Sequence, residues 1–174
     1  MDTRDIDRLL AGQRRYFLSG ATLPVTFRVQ MLRRLRDAVQ AHEAETAQAL
    51  TADLGKSDFE GFMSETGMVL SELSYMIRST PRFAKRRRVP TPLAQFAASS
   101  YCQPSPYGNV LIMSPWNYPL LLTLDPLTDA IAAGNTAIVK PSAYSPATSQ
   151  VIQRIVTECF PPEYVAVDPG GRAE

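Results

Sequence analysis

The chain has 174 residues, of which 45% are hydrophobic and 20% charged, and its formal net charge is +1. This length allows one domain with a buried core, and the near-zero charge provides no overall field that would attract nucleic acid. Two cysteines without C-x-x-C spacing and a single histidine cannot form a conventional zinc site, so we expect no metal centre.

The first half of the chain has the apolar periodicity of helices. A first helix is predicted from a cap at Thr3 to a stop at Gly20, and a second begins after Pro24 and continues to Gly55. A third begins with Ser57 or its neighbour as the cap. The apolar stripes of all three are typical of core packing.

The middle of the chain loses this periodicity. The basic run KRRRVPTP, residues 85–92, contains two prolines that cannot continue a helix, and it predicts a linker or corner. The proline-rich segment that follows, residues 95–108, has the alternation of edge strands.

From Gly108 onwards, short apolar runs alternate with helical ones, which is typical of a parallel sheet with crossover helices. NVLIM is predicted as a buried strand, and a helix follows that ends at Gly134 and needs a first turn or restart near Pro126. NTAIVK is the second strand, the next helix has Ser145 as cap and Pro146 at its first position, and EYVAV is the third strand. The order β-α-β-α-β predicts an α/β fold with about half of a doubly wound sheet.

Two polar loops fall at the carboxyl ends of the first two strands, where such sheets bind ligands. They are SPWNYP, residues 114–119, and KPSAYSP, residues 140–146. The neutral amide of Asn117 suits a developing oxyanion, and Lys140 offers a fixed charge to phosphate or ribose groups. Taken alone, each residue is more simply explained as a turn cap or a solvated strand end. Only their occurrence on one rim favours a site, and without a G-x-G-x-x-G motif the residues indicate no more than a nucleotide-sized ligand.

The segment YGNVLIMSPWNYPLLLTLDPLTDAIAAGNTAIVKPSAYSPATS closely resembles the NAD(P)-dependent aldehyde dehydrogenases, in particular the class 3 branch that acts on fatty and aromatic aldehydes. An apolar strand, P-W-N, A-I-A-A-G-N and K-P-S occur in the family's order and spacing, and a looser likeness extends upstream over most of the chain. The resemblance implies a Rossmann-like cofactor domain without the glycine fingerprint. Its N-terminal helical part would be residues 1–94, a strand segment like the family's oligomerisation hairpin residues 95–107, and the first β-α-β-α-β part residues 108–174, with the catalytic domain absent.

The family's reaction is the oxidation of an aldehyde by NAD or NADP. A cysteine thiolate attacks the carbonyl, hydride passes to the nicotinamide, and water activated by a glutamate hydrolyses the thioester. The resemblance implies that Asn117 helps to form the oxyanion hole and that Lys140 binds the adenosine side of the cofactor. Ser114, Pro115 and Trp116 would line the cofactor cleft.

Ser142 and Ala143 complete the predicted cofactor loop. Many relatives carry a glutamate where this chain has Ala143, and that carboxylate holds the ribose hydroxyls and disfavours a 2′-phosphate. We therefore expect this chain to tolerate NADP as well as NAD.

The family's nucleophilic cysteine and general-base glutamate have no counterpart here, so we expect an N-terminal fragment that is inactive by itself. Cys102 and Cys159 are expected to serve packing, and His42 to lie at a surface or interface. The polar N-terminus and the lack of an apolar run of about 18 residues predict a cytoplasmic protein without a membrane segment.

The residues also allow two alternative functions. The run KRRR, residues 85–88, would be needed for nucleic-acid binding, but it is short and without interleaved aromatic residues, so we expect a solvated corner and no nucleic-acid partner. Alternatively, the chain is a truncated, non-catalytic unit that binds a nucleotide or a partner, because half a sheet leaves a strand edge and an apolar face uncovered. For a full-length enzyme we expect an aldehyde substrate and a homodimer built through residues 95–106.

Overall fold

The fold is described from a computed structural model that covers residues 3–170. The outer ends of the first and last predicted segments, residues 1–2 and 171–174, and the side chain of the predicted cap Thr3 lie outside the described part. The first half is helical, as the periodicity predicts. Its helices are α1 (Thr3–Leu18), α2 (Val25–Ala41), α3 (Glu43–Leu54), α4 (Asp58–Gly61) and α5 (Gly67–Phe83), with one π-helical turn (Phe62–Thr66) between the last two.

The boundaries of these helices follow local sequence signals with one exception. Gly55 ends α3 in the left-handed conformation at φ 68°, and the Ser57 hydroxyl accepts a hydrogen bond from the Glu60 N–H that starts α4. The helix predicted from Pro24 to Gly55 is wrong in its continuity, because it is interrupted at His42. The interruption separates α2 from α3, which packs on a later helix.

A two-stranded antiparallel hairpin follows the helices. It consists of β1 (Arg87–Val89) and β2 (Ser100–Cys102), with a short 3-10 turn at Leu93–Gln95 between them. Part of the basic run is therefore a strand rather than a corner, because its main chain pairs with the strand predicted in residues 95–108. Cys102 is exposed on this hairpin, so packing does not account for it, contrary to prediction.

The second half is a three-stranded parallel sheet with two crossover helices, which confirms the predicted α/β fold and its order. The strands are β3 (Asn109–Met113), β4 (Thr136–Lys140) and β5 (Val165–Val167), arranged side by side in that order, and the helices are α6 (Leu121–Ala133) and α7 (Pro146–Cys159).

The prediction that NVLIM is a buried strand is wrong for much of β3. Ile112 is buried, but Leu111 is 61% exposed and Met113 is 69% exposed. Successive strand residues point to opposite faces of a sheet. Ile112 belongs to the face that packs against the helices, whereas Leu111 and Met113 belong to the opposite face at the edge of the three strands.

Two details of the crossover helices differ from prediction. α6 passes through Pro126 without a restart, and Leu122, whose carbonyl loses its helical partner to the proline ring, is exposed to solvent. Pro146 occupies the start of α7 as predicted, but Ser145 makes no side-chain cap there. The Ser145 hydroxyl instead donates to the Ser142 carbonyl, 3.4 Å away.

One hydrophobic core joins the two halves. The contacts of α2 and α5 with α6, and of α2 and α3 with α7, place the N-terminal helices against the crossover helices. The core includes these fully buried side chains: Leu32, Leu35, Leu73, Leu120, Leu124, Leu127, Ile131, Ile152, Ile155. Within residues 3–170, no helix combines the length and the apolar character needed to cross a bilayer.

Arg28 fastens α2 to the end of α6. Its guanidinium is buried and donates to the carbonyls of Thr22, Leu23 and Ala132 at 2.8 to 3.3 Å. Gly134 ends α6 at φ 93°, where a side chain is strained. A Cβ there would lie 2.8 Å from the Arg28 guanidinium carbon, so glycine is needed both for the backbone and for the arginine.

We expect Gly134→Ala to lower the free energy of unfolding by about 2–4 kcal/mol, since it adds backbone strain and displaces a buried guanidinium. Gly55→Ala is the matched control: that residue also ends a helix at positive φ, but nothing lies within 4 Å of the added Cβ. It should cost about 1 kcal/mol. Urea unfolding followed by circular dichroism measures both, and equal losses would contradict the role given to Arg28.

Candidate functional site

The carboxyl ends of the three parallel strands form one rim, and the two predicted loops lie next to each other on it. The Ser114 N–H, just after β3, donates to the carbonyl of Lys140 at the end of β4, 3.1 Å away. The Asp168 N–H, just after β5, donates to the Val139 carbonyl at 2.8 Å. The rim therefore carries residues 114–120, 141–145 and 168–170.

The first rim loop, residues 114–120, is referred to below as the corner. Its tip is open to solvent: Trp116 is 54% exposed, and Pro115 and Asn117 are exposed as well. Ser114 lies deeper, and its hydroxyl oxygen is buried without a hydrogen-bond partner in the described structure. An unpaired buried hydroxyl at a rim is a group that a bound ligand can satisfy.

The second rim loop presents one charged side chain and a turn held by serine hydroxyls. The Lys140 ammonium donates to the Gly170 carbonyl at 2.8 Å, so it bridges β4 to the loop after β5. The Ser142 carbonyl accepts from the Ser149 hydroxyl at 2.8 Å, and the Ser142 hydroxyl accepts from the Tyr144 N–H. Ala143 is exposed at the outside of this turn.

A buried ion pair lies directly beneath the corner. Lys56, between α3 and α4, is 7% exposed, and Glu65, in the π-helical turn, is 0% exposed. The Lys56 ammonium lies 2.5 Å from one carboxylate oxygen of Glu65. The same ammonium is 3.4 Å from the Asn117 carbonyl and 4.1 Å from the centre of the Tyr118 ring.

The second carboxylate oxygen of Glu65 caps α6. It accepts from the N–H groups of Leu120 at 2.8 Å and Leu121 at 3.3 Å. These N–H groups have no partner within the helix, and a carboxylate at this end is also favoured by the helix dipole. Lys56 thus holds the corner at the Asn117 carbonyl, and Glu65 holds it at the Leu120 and Leu121 N–H groups.

The second crossover helix is capped in the same way by a carboxylate from the N-terminal half. Asp53, near the end of α3, accepts from the Ala147 N–H at 3.1 Å and the Thr148 N–H at 2.7 Å. It also accepts from the Thr148 hydroxyl at 2.8 Å. Asp53 therefore does what was predicted for Ser145.

Both of these helix N-termini are therefore closed to phosphate. A free helix N-terminus is the usual phosphate site of a dinucleotide fold. Here a phosphate at either position would meet the carboxylate of Glu65 or Asp53 that already occupies the N–H groups. The absence of a glycine fingerprint is consistent with this arrangement, because such glycines serve a phosphate bound at a free helix N-terminus.

Sequence reasoning missed Lys56, Glu65 and Asp53. Glu65 carried the clearest signal, since it lies three residues after Phe62 and four before Val69, and so falls on the apolar stripe of its own helix. A carboxylate on a buried stripe requires a partner. The sequence does not indicate the cation or the N–H groups that pair with this carboxylate, because they lie in other segments of the chain.

A cluster of carboxyl groups lies where α5 packs on α6. Burial, together with the charges of Glu72 and Asp129, raises the pKa of Asp125 to about 6. Burial also raises the pKa of Glu72 and of Asp129. One Asp125 oxygen is buried without a hydrogen-bond partner in the described part of the chain. Ionisation of Asp125 is therefore less favourable in the folded state than in the unfolded chain.

The remaining candidate groups are away from the rim. Cys159 is buried at the end of α7, as expected for packing, and burial raises its pKa to about 11, which keeps the sulfur protonated. His42 bridges two elements, with ring nitrogens 2.8 Å from Glu45 and 3.0 Å from Glu158. A groove of about 640 Å³ lies between α1 and the segment before β5, at the opposite end of the sheet from the rim.

Comparison with known proteins identifies the fold and the family. The model of the aldehyde dehydrogenase family matches residues 1–174. The chain is 38% identical to aldehyde dehydrogenase family 3 member A2 of Mus musculus, over 97% of this chain and 35% of that protein. It is 37% identical to the dimeric NADP-preferring aldehyde dehydrogenase of Canis lupus familiaris, over 97% of this chain and 37% of that protein.

Among solved structures, the substrate-bound AldH of Staphylococcus aureus superposes with a TM-score of 0.93 at 37% identity. The superposition covers 98% of this chain and 37% of that one. The chain therefore spans little more than a third of the length of these relatives.

The raised pKa of Asp125 predicts a pH-dependent stability. Its favourable neutral form is fully present below about pH 4, and stability is lost as the pH rises through about 6. We expect Asp125→Asn to match the parent at pH 3.5 and to exceed its free energy of unfolding by about 1 kcal/mol at pH 8, a value reduced for partial solvation of the carboxyl. The exposed Asp7→Asn is the control, and a gain independent of pH would contradict the assignment.

Proposed function

Because the chain belongs to the aldehyde dehydrogenase family, we propose that it supplies the oxyanion donor and the cofactor-binding loops of an enzyme that oxidises an aldehyde to a carboxylic acid. The observation that carries the proposal is the rim. The Asn117 corner and the Lys140 loop, predicted separately, lie side by side and are joined by the hydrogen bond from the Ser114 N–H to the Lys140 carbonyl.

Asn117 would donate its side-chain amide to the aldehyde oxygen. In the proposed reaction a cysteine thiolate outside these 174 residues bonds to the carbonyl carbon, and the carbonyl oxygen becomes an alkoxide. A neutral amide stabilises this charge without giving up a proton, and a rigid support makes it effective because the donor need not reorganise during the reaction. The corner offers that support, since Lys56 contacts the Asn117 carbonyl and Glu65 accepts a hydrogen bond from the Leu120 N–H.

The rim carries polar and apolar groups that suit a nicotinamide dinucleotide. Lys140 brings a cation beside Gly170, Ser114 has an unpaired buried hydroxyl, and Trp116 offers an exposed apolar ring. When bound, the cofactor would supply the hydride acceptor of the oxidation. We assign Lys140, Ser142 and Ala143 to the ribose side, and the pyrophosphate to a position away from the capped helix N-termini.

The hairpin of β1 and β2 is the proposed dimer contact. It presents exposed apolar side chains at Val89, Leu93, Phe96 and Tyr101. A relative at 37% identity is named as dimeric, which supports the same assembly for the full-length protein.

Replacing Asn117 tests the oxyanion assignment. In the full-length enzyme, Asn117→Ala should lower kcat by about 100-fold, as the loss of one preorganised donor does, while the dissociation constant of the cofactor changes little. Asn109→Ala is the matched control: it removes the same amide from the other end of β3, where it donates to Gln13. Steady-state NADH formation measures both, and unchanged turnover of Asn117→Ala would remove the proposed function.

Ala143 tests the cofactor assignment. The dissociation constants of NAD and NADP for the parent enzyme should agree within about tenfold, since no carboxylate at this position repels a 2′-phosphate. Ala143→Glu should weaken NADP by about tenfold or more and leave NAD unchanged or tighter. Ala143→Gln, with the same shape and no charge, separates repulsion from crowding. A strong preference of the parent for NAD would contradict this assignment.

A further inference from the structure

Lys56 and Glu65 are two buried charged residues that touch the corner, and their contacts lie on both sides of Tyr118. Lys56 holds the Asn117 carbonyl at 3.4 Å and lies 4.1 Å from the Tyr118 ring centre. Glu65 holds the Leu120 N–H at 2.8 Å and the Leu121 N–H at 3.3 Å. The main chain is therefore fixed immediately after the Asn117 side chain and again three residues later.

The two residues act as one unit. Each is almost completely buried, and neither charge would be tolerated there without the other. Their contact of 2.5 Å fixes the ammonium relative to the carboxylate, and hence the Asn117 carbonyl relative to the start of α6. A buried apolar pair of similar volume would supply the packing but not these contacts.

We propose that Lys56 and Glu65 are positioning residues for the Asn117 amide, acting on turnover through the main chain of the corner without touching the substrate. This inference rests on the proposed function of Asn117. It adds that the geometry of the oxyanion donor is set from the N-terminal helices. A displacement of a catalytic group by about 1 Å can lower turnover by about 100-fold, so a loosened corner has a measurable effect.

The kinetic test uses the full-length enzyme and the variants Lys56→Met, Glu65→Gln and their combination. Lys56→Met should lower kcat by about tenfold or more with a much smaller change in the KM for NAD, because the Asn117 carbonyl is released while the Lys140 loop is untouched. Glu65→Gln leaves the Lys56 charge buried and should also lower the thermal midpoint. The combined variant has no unpaired charge, so its thermal midpoint should rise above that of Glu65→Gln while kcat stays low.

Recovery of kcat together with the thermal midpoint in the combined variant would show that the pair is only structural, and it would overturn the proposal. Gly134→Ala is the control for stability alone, since it strains the opposite end of α6. It should retain the parent kcat at a temperature where both proteins are folded. If it loses as much turnover as Lys56→Met, positioning by the pair is also refuted.

A second readout does not depend on activity. Trp116 is the single tryptophan of the 174-residue chain and adjoins Asn117, so its fluorescence reports the corner. In this chain, Lys56→Met should lower the steady-state anisotropy of Trp116, and Gly134→Ala should leave it unchanged. Unchanged anisotropy in Lys56→Met would overturn the proposal even if Asn117→Ala abolishes turnover. Conversely, full turnover of Asn117→Ala with a mobile Trp116 in Lys56→Met would reject the proposed function and keep the mechanical link.

Discussion

The first turn of a crossover helix carries N–H groups that must find acceptors, and in this chain the acceptors come from another part of the sequence. Neither Leu120 nor Ser145, the residues that precede α6 and α7, caps its helix with its own side chain. Glu65 and Asp53 supply the missing oxygens. The N-terminal helices are therefore a structural component of the α/β part: they cap both crossover helices and hold the corner.

This constraint also explains the electrostatics of the rim. A carboxylate at each helix N-terminus cancels the positive end of the dipole that would otherwise attract phosphate. The Glu65 carboxylate in turn requires the buried ammonium of Lys56, which is thereby taken out of contact with solvent. Lys140 is only partly buried, so within residues 3–170 it is a rim cation that solvent can still reach.

The sequence predicts features that depend on neighbouring residues and misses those that depend on distant ones. Periodicity and glycine stops located the helices, and the change of period at Gly108 predicted the parallel sheet, because both are local properties of the chain. The caps of α6 and α7 link residues 55 and 95 positions apart, and no local pattern reports such a pairing. The prediction that β3 is buried was wrong for a related reason. The exposure of a strand at a sheet edge depends on what lies beside it, and Leu111 and Met113 face solvent in this chain.

The long-range caps have a consequence for the order of folding. The carboxylates of Asp53 and Glu65 precede the helices that they cap, so during synthesis the acceptors have left the ribosome before the first turns of α6 and α7 appear. The first turns of α6 and α7 then have acceptors already present in the chain, although capping them closes long loops in either setting. Completion of the sheet should accordingly depend on the docking of the N-terminal helices, because both crossover helices remain uncapped until it occurs.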